Sequence, residues 1–159
     1  MSPLNNKSKD VIAMLYCCGF GHREVFKNIE KELYNTVIKL IAESSVTVFY
    51  TGGNGEFDMQ FASAVRRAQK RYSEVKLYLV KPYMMAALNK DKEFYEEYYS
   101  GIIIPQELMG CHPKGAITKR NRWMVENSDY VIAYVPRGFG GAYSAVKQAE
   151  KLNKTVIHL

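Results

Sequence analysis

Five short runs along the chain, at 11–17, 46–50, 75–80, 130–134 and 155–158, are dominated by β-branched, aromatic and other apolar residues. Continuous apolar runs of this length suit strands covered on both faces. The segments between them keep a different rhythm. Ile29, Leu33, Val37, Leu40 and Ile41 recur at three-to-four spacing among charged residues, and Phe57, Phe61, Val65 and Ala68 do the same after the second run. These are amphipathic helices. Helices are also expected at 93–99, 117–127 and 142–152, with a short strand at 101–104. Strands alternating with helices predict an α/β fold, a mostly parallel sheet with helices on both faces. One domain over 11–159, behind a polar tail at 1–10, accommodates all of them.

In sheets of this kind ligands bind beyond the carboxyl ends of the strands, where the strand order reverses. Three glycine-bearing segments each follow a predicted strand and precede a predicted helix: CGFGHR at 18–23, TGGNG at 51–55 and PRGFGG at 136–141. Glycine lets backbone N–H groups approach an anion, and the following helix directs its positive end at it. Phosphate is the expected guest. No Gly-Lys-Ser/Thr follows any of the turns, and none carries GxGxxG with an acid after the next strand. A P-loop and a standard dinucleotide fold are therefore disfavoured.

Charge and cysteine usage narrow the function classes further. Lys and Arg number 22 against 16 Asp and Glu, a net charge of +6, which favours anionic partners without choosing among them. The basic residues form no long block. Three cysteines, two of them adjacent, make neither a disulfide framework nor a CxxC pair, and the three histidines are scattered; no metal site and no resident cofactor are expected. The longest apolar stretch, 11–20, is far short of the roughly 20 residues that span a bilayer, so a cytoplasmic protein without membrane contact is expected.

Several motifs occur together and in order. Gly21-His22-Arg23 follows the first strand, and Gly52-Gly53-x-Gly55-x-x-Asp58 follows the second. Arg120-Asn121-x-x-Met124-Val125 lies in a helix, and Gly140-Gly141 follows a Ser128-Asp129 strand entry. In this the chain resembles the SLOG superfamily, Rossmann-like domains similar to the Lonely Guy cytokinin-activating enzymes and to the DNA-processing protein that loads recombinase on single-stranded DNA. The likeness is to the bacterial branch containing the Gly-His-Arg motif and runs from about residue 13 to the C-terminus.

The resemblance implies a pocket for a nucleotide or nucleotide-derived ligand, sensed or sequestered, lined by Gly21, His22, Arg23, Gly52, Gly53, Gly55, Asp58, Arg120, Asn121, Gly138, Gly140 and Gly141. Enzymes of the family cleave an N-glycosidic bond with an Arg on the helix before the last glycine turn and a Glu on the helix after it. Arg120 matches the first; the second falls on Ser144 or Ala145, which carry no carboxylate. Glycosidic cleavage builds positive charge that a carboxylate normally stabilises. Asp58, or less readily Glu56, would have to supply it, so an N-glycosidase with Arg120 and Asp58 as catalytic residues is the alternative. Binding of single-stranded nucleic acid is a third reading, resting on Lys119, Arg120, Arg122 and Trp123 and on Arg66, Arg67, Lys70 and Arg71. Arg120 and Arg122, two apart on a helix, must face different ways. Finally, 12 Tyr, seven Phe, one Trp and seven Met exceed what one sheet comfortably buries, and a homo-oligomer is expected, with 82–99 or 117–127 contributing.

Overall fold

The computed structural model describes residues 13–159; the expected polar tail and the first two residues of the first predicted strand lie outside them. Its elements run β1 (Leu15–Gly21), α1 (Glu30–Ser44), β2 (Val46–Thr51), α2 (Glu56–Gln69), β3 (Lys76–Val80), α3 (Ala86–Lys90), α4 (Lys92–Tyr98), β4 (Gly101–Ile103), α5 (Ala116–Glu126), β5 (Tyr130–Tyr134), α6 (Gly141–Lys151) and β6 (Thr155–His158). The six strands form one sheet in the order β4-β3-β2-β1-β5-β6. Every neighbouring pair is parallel. This is a single-domain Rossmann-like α/β fold.

Alternation along the central strands divides the core into two layers. Cys17 and Phe49 face the side covered by Leu33 and Val37 of α1 and by Phe57, Phe61 and Val65 of α2. Their neighbours Cys18 and Val48 face Met124 and Val125 of α5 and Ala145, Val146 and Ala149 of α6. Because successive side chains on a strand point to opposite faces, a run apolar throughout is what two-sided cover requires. Complete burial of each large side chain, such as Phe57 or Phe61, contributes about 1.5–3 kcal/mol.

The aromatic supply is partly absorbed within the chain. Tyr16, Tyr50 and Tyr78 stand side by side on β1, β2 and β3, with ring centroids 5.6 and 6.4 Å apart, and Trp123 of α5 closes over Tyr50 at 5.3 Å. On the opposite face Tyr98 lies under the Arg66 guanidinium and Tyr34 under that of Arg67.

One boundary differs from expectation. The first strand runs through Gly19 and Gly21, which the glycine pattern alone places in a turn. A Cβ at Gly19 would stand 2.6 Å from the Phe61 ring, and one at Gly21 would stand 2.1 Å from that of Phe57. These glycines let α2 press against the sheet, and the turn proper begins at His22.

The chain leaves β1 toward β2, β3 and β4 on one side and returns through β5 to β6 on the other. The strand order therefore reverses between β1 and β5, which opens a crevice at their carboxyl ends.

Candidate functional site

That crevice holds a cavity of about 310 Å³ lined by residues of four segments: Gly21, His22 and Arg23 at and after the end of β1, Asn54 before α2 and Asp58 in its first turn, Arg120 and Asn121 on α5, and Arg137, Phe139, Gly140, Gly141 and Ala142 around the start of α6. Two loops form its walls, and His22 joins them. Its backbone N–H donates to the Tyr134 carbonyl at 3.2 Å, and its Nε2 accepts the Arg137 N–H at 3.1 Å. Burial, and secondarily the Arg137 charge, holds the imidazole below its ordinary pKa. Neutral His22 is the form that can accept this hydrogen bond.

Arg120 forms the cavity's cationic floor. It is 3% exposed, yet its guanidinium is fixed on one side only: Nη1 donates to the carbonyls of Gly52 and Val80, both at 3.1 Å, and Nε donates to Asn121 Oδ1 at 3.0 Å. Nη2 makes no hydrogen bond among the described residues. Arg122 turns outward to Glu126, 3.4 Å away, as two-residue spacing on a helix demands.

Asp58 sits in the first turn of α2, 8% exposed, where its Oδ2 accepts the Asn54 N–H at 2.8 Å. Burial pushes its pKa up to about 6, against the opposing pull of that hydrogen bond and of Arg120, Lys81 and Arg23. Glu56 serves another purpose: its carboxylate accepts the Val25 N–H at 2.8 Å and ties down the segment after β1.

Lys81 was not singled out in the sequence, where it marked only the end of a strand before Pro82. The structure buries it beneath the β2–α2 turn, with Nζ donating to the Gly52 carbonyl at 2.7 Å and to Asn54 Oδ1 at 3.3 Å. Burial, with Arg120 adding to it, lowers its pKa to about 8. The one available signal was a lysine directly following an apolar strand, since a cation there lies at the carboxyl edge of the sheet. Arg137 and Phe139, within a turn noticed for its glycines, also line the cavity.

The glycines divide by role. Gly52 touches Arg120, Gly53 packs over Leu79 and Gly55 packs over the Arg23 backbone; none of the three lines the cavity. Three donors of this turn are already used: Gly53 N–H by Thr51, Asn54 N–H by Asp58 and Glu56 N–H by the Arg23 carbonyl. The last turn differs in what it faces: α2 also begins after a glycine without a side-chain cap, but only the start of α6 lines the cavity with its first residues, Gly141 and Ala142. Gly140, at φ 103°, precedes α6 without a side-chain cap, so the N–H groups of the helix's first turn stay free beside the cavity. Gly138 is adjacent to it.

Tyr99 stacks on Tyr95 at 6.1 Å and meets Tyr98 edge-on at 4.9 Å, and none of the three lines the cavity. Burial pushes the Cys18 thiol up to about 12. Among the described residues no cluster of three or more His, Cys, Asp or Glu is placed to hold a metal ion, and no helix is long and apolar enough to cross a membrane.

Solved structures with this architecture include DNA processing protein A from Streptococcus pneumoniae, at TM-score 0.62 and 16% identity over 91% of this chain and 50% of the other. DNA processing protein A from Helicobacter pylori, whose structure concerns its single-stranded DNA binding mode, follows at TM-score 0.59 and 21% identity over 91% and 64%. A molybdenum cofactor binding protein from Rippkaea orientalis matches at TM-score 0.58 and 22% identity over 92% and 77%. The chain shares their fold. It is the fold expected from the SLOG resemblance. The chain spans half to about two thirds of the length of the two DNA processing proteins. No protein-family model and no curated protein match it by sequence.

Proposed function

We propose that the chain binds a nucleotide or nucleotide-derived ligand in the crevice between β1 and β5, as a sensor or sequestering protein. The observation that carries this reading is Arg120: a buried guanidinium clamped by two backbone carbonyls, with Nη2 left unbonded at a cavity. A phosphate between Nη2 and the first turn of α6, at Gly138, Gly140 and Gly141, takes charge-assisted hydrogen bonds from one side and the helix dipole from the other. Arg23 and Arg137 add positive charge at the rim. Asn121, its Oδ1 held by Arg120, keeps its amide N–H groups for the ligand, and Asp58 accepts from a ribose hydroxyl. The fold is used for anionic ligands elsewhere, since the Helicobacter pylori relative is described as binding single-stranded DNA and the Rippkaea orientalis one as binding molybdenum cofactor.

Thermal-shift and calorimetric titration with nucleoside monophosphates, cyclic nucleotides and ADP-ribose tests the proposal, because a ligand that binds only the folded state raises the melting temperature. Stabilisation lost in Arg120→Met supports it; no stabilisation at millimolar concentration overturns it. A short single-stranded oligonucleotide in the same series tests the nucleic-acid reading, for which affinity falls steeply with salt. The two basic clusters do not form one face: Arg66 and Arg67 lie on α2, which packs on one layer of the core, and Lys119, Arg120 and Arg122 on α5, which packs on the other, with Trp123 packed on Tyr50.

Asp58 supports a second reading, the N-glycosidase. A carboxyl whose pKa is raised to about 6 holds and releases a proton near neutral pH, as a general acid or base must. No carboxylate at Ser144 or Ala145 stands in for the missing Glu. Product analysis with AMP and NAD decides this reading, and turnover surviving Asp58→Asn removes the acid assignment.

A further inference from the structure

Two charged groups of the crevice, Arg120 and Asp58, are tied to one ammonium that does not itself line the cavity. Lys81, directly after β3, is 7% exposed. Its Nζ donates to the Gly52 carbonyl, which also accepts Arg120 Nη1, and to Oδ1 of Asn54, whose backbone N–H donates to Asp58 Oδ2. A buried ammonium bonded to two neutral oxygens rather than to a carboxylate is a costly element for a fold to keep. The groups facing it come from three elements. Arg120 of α5 disfavours its charge and Asp58 of α2 favours it. The third is Tyr99, just after α4: a Cβ at Gly53 would stand 3.6 Å from Lys81 Nζ and 3.8 Å from the Tyr99 hydroxyl oxygen.

We propose that Lys81 is a positioning residue that couples anion binding in the crevice to proton uptake at its Nζ, anchoring the Gly52 carbonyl and Asn54 as an ammonium and loosening both as a neutral amine. This rests on the reading of the crevice as an anion site and adds its regulation by pH. A neutral amine keeps two hydrogens for its two acceptors, but each bond loses the charge assistance that roughly doubles its strength. A positive charge is also removed from beneath Arg120. The bound anion in turn favours the ammonium, because coupling between two binding events is reciprocal. Burial, and secondarily Arg120, places the Lys81 pKa at about 8, so the exchange falls just above neutrality. Its neighbours hold their charge across that range: Asp58, raised to about 6 by burial, is largely ionised, and burial pushes Tyr99 up to about 12. His22, held below its ordinary value, is neutral.

Calorimetric titration of the full chain with sulfate, which does not titrate in this range, at pH 7, 8 and 9 tests the coupling. Loss of the Lys81 proton should weaken sulfate about fivefold, seen as about a threefold fall in affinity between pH 7 and pH 9. By linkage about a third of a proton is then taken up per sulfate at pH 8, read from the difference in binding enthalpy between Tris and HEPES buffers, whose ionisation enthalpies differ. That uptake is measured on the natural protein and needs no variant. Lys81→Met should bind sulfate about fivefold more weakly at pH 7, with no pH step and no proton uptake, whereas Lys81→Arg, which stays charged, should keep the pH 7 affinity up to pH 9. A residue that only braces the fold would move neither the pH profile nor the proton count. Sulfate binding with equal affinity at pH 7 and pH 9 overturns the coupling and leaves the anion site standing, as does a step that survives in Lys81→Met. No sulfate binding at any pH overturns both.

Discussion

The guanidinium of Arg120 lies directly over Gly52: a Cβ at Gly52 would stand 2.6 Å from its Cζ, and Nη1 donates to the Gly52 carbonyl at 3.1 Å. The same carbonyl accepts Lys81 Nζ at 2.7 Å. One backbone oxygen thus anchors two buried cations, and the space above it is reserved for one of them.

Gly52→Ala should therefore act on binding before it acts on the fold. The methyl group displaces the end of a flexible side chain rather than backbone, so the expected stability loss is about 1–2 kcal/mol, the scale of one or two weakened buried hydrogen bonds. Phosphate-ester affinity should fall tenfold or more. Urea unfolding and calorimetric titration of one variant preparation check both numbers.

Gly21 and Gly138, similar in the sequence, should respond oppositely to alanine. A Cβ at Gly21 would overlap the fully buried Phe57, whereas one at Gly138 meets nothing within 4 Å. Overpacking on this scale costs about 1–3 kcal/mol or more. Gly21→Ala is expected to lower the melting temperature clearly and Gly138→Ala to leave it within a degree or two. A destabilised Gly138→Ala would contradict the assignment of that turn as open.

Asp58 gives the site a pH dependence of definite sign. Its folded pKa is raised from 3.8 to about 6, so its contribution to stability is complete below the unfolded value and is lost as pH rises through about 6. Its charge near Arg120 appears over the same range. Sulfate, which does not titrate there, should bind several-fold more tightly at pH 5 than at pH 7, and Asp58→Asn should flatten that step. His22, whose pKa is lowered by burial and Arg137, contributes to stability above its unfolded value and loses that contribution as pH falls through the folded one. The Asp58→Asn background separates the two. A sulfate affinity independent of pH in the natural protein would remove Asp58 from the site.

Self-association is expected from the apolar surface that the folded chain leaves uncovered. Phe26 is 81% exposed and Met59 70%, and both line a shallow groove of about 580 Å³ on the α1–α2 side; neither lies in the 82–99 or 117–127 segments expected from sequence. Light scattering should show a mass above 18.2 kDa, returned to the monomer value by Phe26→Ser with Met59→Ser. A monomer at high micromolar concentration would sink the prediction.

Element type and order were legible in the chain because they depend on local periodicity: an unbroken apolar run needs cover on both faces, and a three-to-four repeat needs cover on one. The same rule gave the opposite orientations of Arg120 and Arg122. What glycine does was not legible, since the residue carries no side chain to reveal its neighbour. Gly19 and Gly21 sit within a strand under Phe61 and Phe57, and Gly52 sits under Arg120, through contacts made far away in sequence. Lys81 stayed hidden for a related reason. Its chemistry comes from burial beside Arg120 and Asp58, and burial is decided only when β2, β3 and α5 pack together. The sequence determined the layers and the edge of the sheet where a ligand could lie; tertiary packing decided which donors at that edge are already spent and which remain free.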